Sequence, residues 1–386
     1  MKKQCITPQD GYHYFFGYYD LQPFSTDGRR HLCHRVSFFD RMPTAEDVCE
    51  IGYVTVEDAV FHRIGDTRAW CFQQGAFLQW FDRDESVIFN DFDGEKYVAR
   101  VLDTEGREIR RYDHPIATIC REKGISLSMN FSRVYDFRPG YGYANLPDAN
   151  ASVNNPADDG IFITDLEGGK TRLLISYAEL ARALEEKPYT DCKMVVNHIN
   201  LDPTGTRYVI LYRNFHEANT QWLTKLAAGD LAGNVWSLTP FIYNSHYHFR
   251  DEKNLLIYQE YPETEENKAK RKGLFLLDTD TGAAERLDYP ISDHNDIHCL
   301  YAPDRRFMIG DSYPNKERER MLYYHNFTTN TSGELLRVHS EPANPGDIRC
   351  DLHARLHTDG KTVSYDTTEN TRREVMMVTL EDGDIQ

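Results

Sequence analysis

Short apolar runs alternating with polar residues recur along the whole chain, and most end in turns rich in Asp, Asn or Gly. Alternation with a period of two predicts β-strands, and the Gly and Asx residues supply the positive φ that tight hairpins need. One form of the pattern runs into an acidic or polar turn. It appears as YVTVEDA from Tyr53, ARVLDTEG from Ala99, IFITDLEGG from Ile161, LAAGDLAGN from Leu226, LFLLDTDTG from Leu274, LYYHNFTTNTSG from Leu322 and VMMVTLEDG from Val375. A second form passes from an aromatic or aliphatic residue through a turn such as TDG into an alternating strand. It reads FSTDGRRHLC from Phe24, FDRDESVIF from Phe81, ICREKGISLS from Ile119, LDPTGTRYVIL from Leu201, FRDEKNLLIY from Phe249, YAPDRRFMIG from Tyr301 and LHTDGKTVSY from Leu356. Each form occurs seven times, and the two interleave. Two hairpin turns per repeat of roughly fifty residues predict four-stranded blades, so the expected fold is all-β, a seven-bladed β-propeller.

SYAELARALEEK from Ser176 departs from this period. A Ser start, a Glu three residues on and apolar positions at helical spacing predict one short helical insertion. ETEENKAKRKG from Glu263 reads as a solvated loop. No linker divides the chain, which predicts a single propeller domain over residues 1–386, with His13 to Tyr18 pairing with the last blade to close the ring.

Composition narrows the partners. With 44 Lys+Arg against 61 Asp+Glu the net charge is −17, which argues against nucleic acid and anionic membrane. No apolar run approaches the ~18 residues that span a bilayer. The start, MKKQCITPQDGYHYFF, is polar from its third to tenth residues, and no membrane anchor or secretory signal is expected. Eight cysteines stand singly without CxxC spacing and read as reduced thiols of a cytoplasmic protein. The pattern does not speak to oligomeric state.

Candidate chemistry lies just before the second form of the repeat. His198, His246, His298 and His353 fall there, 48, 52 and 55 residues apart, so each takes the same place in four successive repeats. In a propeller that strand is the innermost, and four imidazoles would converge on the central channel. His248, His294, Asp296, Arg349, Asp351 and Asn200 lie at even offsets from these histidines and share their face. The first three repeats offer Tyr18, Tyr19, Asp20, Gln74, Gln79, Arg133 and Arg138 instead. A blade-stapling role for the histidines would call for Gly-His and Trp-Asp pairs, and neither pair occurs. Histidines out of this register, such as His62, His216 and His357, read as surface residues, and Trp70 and Trp80 as blade core.

Several imidazoles with a carboxylate such as Asp351 or Asp296 suit a borderline divalent ion such as Mn²⁺, Zn²⁺ or Fe²⁺. An adjacent arginine suits a carboxylate-bearing ligand, and a further histidine can serve as general base. Together these groups fit removal of a proton α to a carboxylate, which in a uronate chain leads to loss of the 4-linked group by β-elimination.

The repeated strands and channel-facing histidines resemble oligogalacturonate lyases and related TolB-like seven-bladed propellers. In the lyases, manganese is held mainly by histidines of late blades, and an arginine and a histidine of earlier blades serve proton abstraction. The resemblance implies a divalent metal cofactor, manganese foremost, at His294, His298 and His353. It implies catalytic roles for His198, His246 and Arg349, substrate contacts for Tyr19, Arg138 and His248, and an acidic oligosaccharide as substrate. Where the lyases cluster a Gln and two His in one late blade, this chain has Arg349, Asp351 and His353. Their middle-blade arginine has Arg213 and Arg250 as candidate counterparts. Two other classes stay open. A glycoside hydrolase would need opposed carboxylates among Asp20, Asp91, Asp296 and Asp351, and a binding propeller would need no catalytic group.

Overall fold

A computed structural model describes residues 1–186, 192–215, 223–262, 270–289, 296–340 and 346–386. Its strands form seven four-stranded antiparallel sheets, each built from consecutive strands except the last. This is the seven-bladed β-propeller that the repeats predict. Each copy of the first repeat form is the third strand of a blade, from Cys49–Thr55 in blade 1 to Glu374–Thr379 in blade 7. Each copy of the second form turns between a blade's first and second strands, except in blade 1, where it follows Phe24 into Arg30–Val36.

Blade 7 is completed from the other end of the chain. Lys2–Cys5 pairs antiparallel with Glu374–Thr379, Lys2 opposite Thr379 and Cys5 opposite Met376. The pattern along the chain predicts that closure from His13 to Tyr18. His13–Phe15 instead pairs with Arg30–Val36 as the first strand of blade 1. Lys2–Cys5 carries no apolar alternation of its own, and its register is set by its partner strand.

The predicted helix spans Tyr177–Ala183. Ser176 caps it and Glu179 returns the bond, a complete capping box. A second helix, Phe131–Phe137, was not anticipated. It is capped by Asn130 and sits in the long connection between the second and third strands of blade 3. Of the charged segment from Glu263, Lys270–Asp278 forms a strand, and residues 263–269 lie outside the described residues.

Close packing groups the chain into two compact units. One comprises Met1–Glu95, Ala99–Arg111 and Tyr289–Gln386, the other Lys96–Val98 and Tyr112–Asp288. The first holds a core of Phe15, Leu32, Ile51, Trp70, Phe72, Trp80 and Phe89 among its buried side chains. Trp70 and Trp80 are core as expected, with their indole N–H groups bonded to the carbonyls of Asp47 and Pro23. The second unit packs Val209, Leu211, Leu226, Leu255, Ile257 and Phe275 between blades 4 and 5. Burying each such side chain contributes about 1.5–3 kcal/mol against the entropy of ordering it. His357, expected at the surface, is buried with its ring against Phe24.

Blade 1 buries two histidines in the strand Arg30–Val36. His34 Nε2 accepts the Ala76 N–H at 3.0 Å, and His31 Nε2 meets Ser364 Oγ at 2.9 Å. Burial pushes the His34 pKa down from 6.5 to about 3 and that of His31 well below its ordinary value. Protonating His34 removes the lone pair that holds Ala76. Below about pH 6.5 the unfolded chain takes up protons that the native state refuses, so stability falls with pH. The expected loss is about 1.4 kcal/mol per pH unit for each histidine. Urea midpoints should therefore fall between pH 7 and pH 5, and His34→Gln should flatten the dependence. An equal slope in wild type and variant would contradict this origin.

Candidate metal centre

The site is assembled from blades 6 and 7 and the segment after blade 1's first strand. His298 lies in Ile297–Tyr301, directly opposite Asp311 in Phe307–Ser312. Its Nδ1 meets Asp311 Oδ1 at 2.6 Å, and its backbone N–H donates to the same oxygen. With Nδ1 committed, Nε2 is the nitrogen with which this ring can ligate. Burial pushes the His298 pKa down, but the carboxylates of Asp311, Asp351 and Asp296 outweigh it and raise the pKa above the ordinary histidine value.

His353 stands two residues before the short strand Arg355–Leu356. Its backbone is left-handed, φ +43°, a conformation that costs a non-glycine residue about 1–3 kcal/mol. The turn aims the ring so that Nδ1 donates to the Gly17 carbonyl at 2.9 Å. The two imidazole centroids are 4.5 Å apart at 81°. Asp351 completes the group: one ligand atom each from His298, Asp351 and His353 lie within 4.8 Å of one another, and all three residues are buried. Two arginines face the same carboxylate, Arg349 Nε at 2.7 Å and Arg320 Nη2 at 3.4 Å. The Arg349 guanidinium also lies over the Tyr313 ring, 5.2 Å from its centroid.

Tyr18 and Tyr19 wall the pair. The Tyr18 centroid is 4.9 Å from His353 and that of Tyr19 is 5.1 Å from His298, with both tyrosines buried. They arrive there because Gly17 precedes them at φ +126°, where a Cβ would lie 2.9 Å from the Gln74 carbonyl carbon. Only glycine fits that turn.

Of the predicted metal ligands, His298 and His353 come together and His294 lies outside the described residues. Arg349 and Tyr19 join them. His198, His246, His248 and Arg138 belong to the other compact unit. There His198 and His246 each sit at a register shift in the first strand of their blades, a local bulge that re-aims a side chain. The His198 ring meets Tyr141 edge-on at 5.7 Å, and Arg138 lies 4.3 Å over the same Tyr141. Burial pushes the His248 pKa down to about 4. Arg133 is structural: it is fully buried, paired with Asp148 at 3.1 Å, and donates to the Met194 and Asn154 carbonyls.

Asp311, Arg320 and Gly17 escaped the sequence reading. A signal for Asp311 existed, because a hairpin folded at Asp304–Arg305 sets residue 298 opposite residue 311. No comparable pattern joins Gly17 to His353.

Solved structures share this architecture. An oligogalacturonate lyase in complex with manganese aligns with a TM-score of 0.69 at 12% identity, over 99% of this chain and 94% of that one. The oligogalacturonate lyase of Vibrio parahaemolyticus gives 0.64 at 11% identity, over 98% and 94%. The chain has the propeller fold of an oligogalacturonate lyase. The tricorn protease matches less well, with a TM-score of 0.52 at 11% identity, over 97% of this chain and 35% of that one. No family model and no curated protein matches the sequence. At these identities the lyase-like propeller is a statement about the fold, and the chemistry has to come from the residues themselves.

Asp311 is the foremost of the three carboxylates that lift the His298 pKa against burial. In Asp311→Asn the His298 pKa should fall from its wild-type value, as read by NMR titration of the ring protons. An unchanged pKa would show that Asp311 does not set it.

Proposed function

We propose that this protein is a metal-dependent lyase that cleaves uronate-containing oligosaccharides by β-elimination, with manganese as its ion. One observation carries the reading: His298, Asp351 and His353 bring three ligand atoms within 4.8 Å of one another, with Arg349 in contact with Asp351. The donors fit a borderline divalent ion. Both imidazoles commit Nδ1 to an acceptor, which leaves Nε2 for ligation, and a carboxylate has lone pairs enough to hold an arginine and an ion together. When bound, such an ion supplies Lewis-acid charge that acidifies a proton α to a carboxylate.

The protein groups do the rest. Arg320 and Arg349 both face Asp351, and an arginine beside the ion favours a carboxylate-bearing uronate over a neutral sugar. Arg349, planar and lying over Tyr313, is suited to hold the carboxylate by its guanidinium fork. The buried rings of Tyr18 and Tyr19 exclude water, which strengthens every charge inside. A base takes the proton α to the carboxylate, the bond to the 4-linked sugar breaks, and its electron pair leaves with the departing oxygen. The solved structures that match with TM-scores of 0.69 and 0.64, over 94% of their own length, are oligogalacturonate lyases, which supports the substrate class.

The test is an assay on oligogalacturonates, followed by the ultraviolet absorbance of the unsaturated uronate product. Activity should disappear with a chelator and return with Mn²⁺. Arg349→Gln should lower kcat/KM by about 100-fold with metal content retained. New reducing ends without the absorbance, formed in the presence of chelator, would identify a hydrolase and overturn the lyase reading.

A further inference from the structure

His353 is held by more than its own hydrogen bond. The Gly17 carbonyl that accepts from its Nδ1 also accepts from Arg355 Nη2 at 2.7 Å. Arg355 Nη1 is 2.9 Å from Asp366 Oδ1. The Asp366 carboxylate in turn receives the backbone N–H groups of Phe16, at 3.2 and 3.3 Å, and of Gly17, at 3.4 Å. These contacts close a ring: carboxylate to guanidinium, guanidinium to the Gly17 carbonyl, and the N–H groups of Gly17 and of Phe16 before it back to the carboxylate. Arg355 and Asp366 are 1% and 2% exposed, so the ring is buried on every side. The Arg355 guanidinium also lies 5.0 Å from the Phe16 ring centroid.

A carbonyl oxygen only accepts, so the His353 nitrogen beside it must carry the proton. The direction of the Gly17 carbonyl therefore selects the tautomer and fixes Nε2 as the atom that can ligate. Gly17 cannot hold that direction alone, since glycine is the residue with the greatest backbone freedom. Asp366 holds its N–H, and Arg355 holds its C=O.

We propose that Arg355 and Asp366 are positioning residues for His353, acting through the peptide of Gly17. The arrangement differs from that at His298, where a carboxylate contacts the ring directly. A carboxylate partner raises the basicity of an imidazole, whereas a carbonyl shared with a guanidinium raises it less. His298 is thus the stronger donor of the two, and His353 the one that depends on remote residues.

The consequence for metal binding rests on the reading of the site given above, while the tautomer does not. The experiment therefore measures both, on the full chain labelled with ¹⁵N-histidine, for wild type, Asp366→Asn, Arg355→Met and Arg355→Lys. In the metal-free wild type, His353 should be the Nδ1–H tautomer. In Asp366→Asn and Arg355→Met it should shift toward a mixture, with His298, held by Asp311, unchanged as the internal control. Arg355→Lys, which keeps the charge and a donor, should restore part of the wild-type signal. Mn²⁺ affinity, measured well below each variant's melting temperature, should fall about tenfold in the first two. A wild type that binds no Mn²⁺ but shows the tautomer shift in the variants would keep the positioning role and remove the metal reading. Unchanged His353 tautomers in all variants, or equal shifts at His298 and His353, would overturn the proposal.

Discussion

The carbonyl of Gly17 is the contact on which the candidate site most depends. It receives the Nδ1–H of His353 and a guanidinium N–H of Arg355, and the residue that bears it launches Tyr18 and Tyr19 against both imidazoles. That geometry needs a residue at φ +126° with no Cβ, because the Gln74 backbone occupies the space. It also needs the beginning of the chain to lie beside its end. Lys2–Cys5 supplies this by completing blade 7, and Asp366 on the second strand of that blade captures the Phe16 and Gly17 amides. Closure of the last blade and the geometry of the site thus share contacts, because Asp366 of that blade holds the residue whose carbonyl accepts from His353.

Electrostatics then divides the labour among buried charges. Asp311 contacts the His298 ring directly, so the carboxylate strengthens it as a donor. Asp351 is the opposite case, held between Arg320 and Arg349. A carboxylate has lone pairs enough to face two guanidinium groups and still offer an oxygen to an ion. The segment bearing Arg349 is pinned as well. Arg373, fully buried, and Gln73 both donate to the Arg349 carbonyl. The guanidinium is therefore presented from a fixed backbone, which is what carboxylate recognition by a planar fork requires.

Much of the fold was legible because hairpin turns repeat. The seven copies of each pattern mark the third strand and, outside blade 1, the first turn of every blade, and the Ser176 to Glu179 spacing marks a capped helix. His298 and His353 were legible as well, through their common place before that turn. What the sequence hid depends on contacts between distant segments. Lys2–Cys5 becomes a strand because Glu374–Thr379 offers it an edge, and His13–Phe15, with the stronger pattern, goes to blade 1. Gly17 and Asp366 are separated by the whole chain, and no periodicity connects them. His357 looked like a surface residue beside a turn, yet Phe24 covers it. The helix Phe131–Phe137 is too short to show an amphipathic period, and its Asn130 cap has no acidic residue three positions on.

The departure from the lyase pattern is concentrated where chemistry would be set. A carboxylate, Asp351, stands with the two histidines. The most direct measurement is anomalous diffraction at the manganese absorption edge from crystals soaked in Mn²⁺. One anomalous peak within ligand distance of His298 Nε2, His353 Nε2 and an Asp351 oxygen is the predicted result. A peak elsewhere, with those three side chains unmoved and no density among them, would contradict the account.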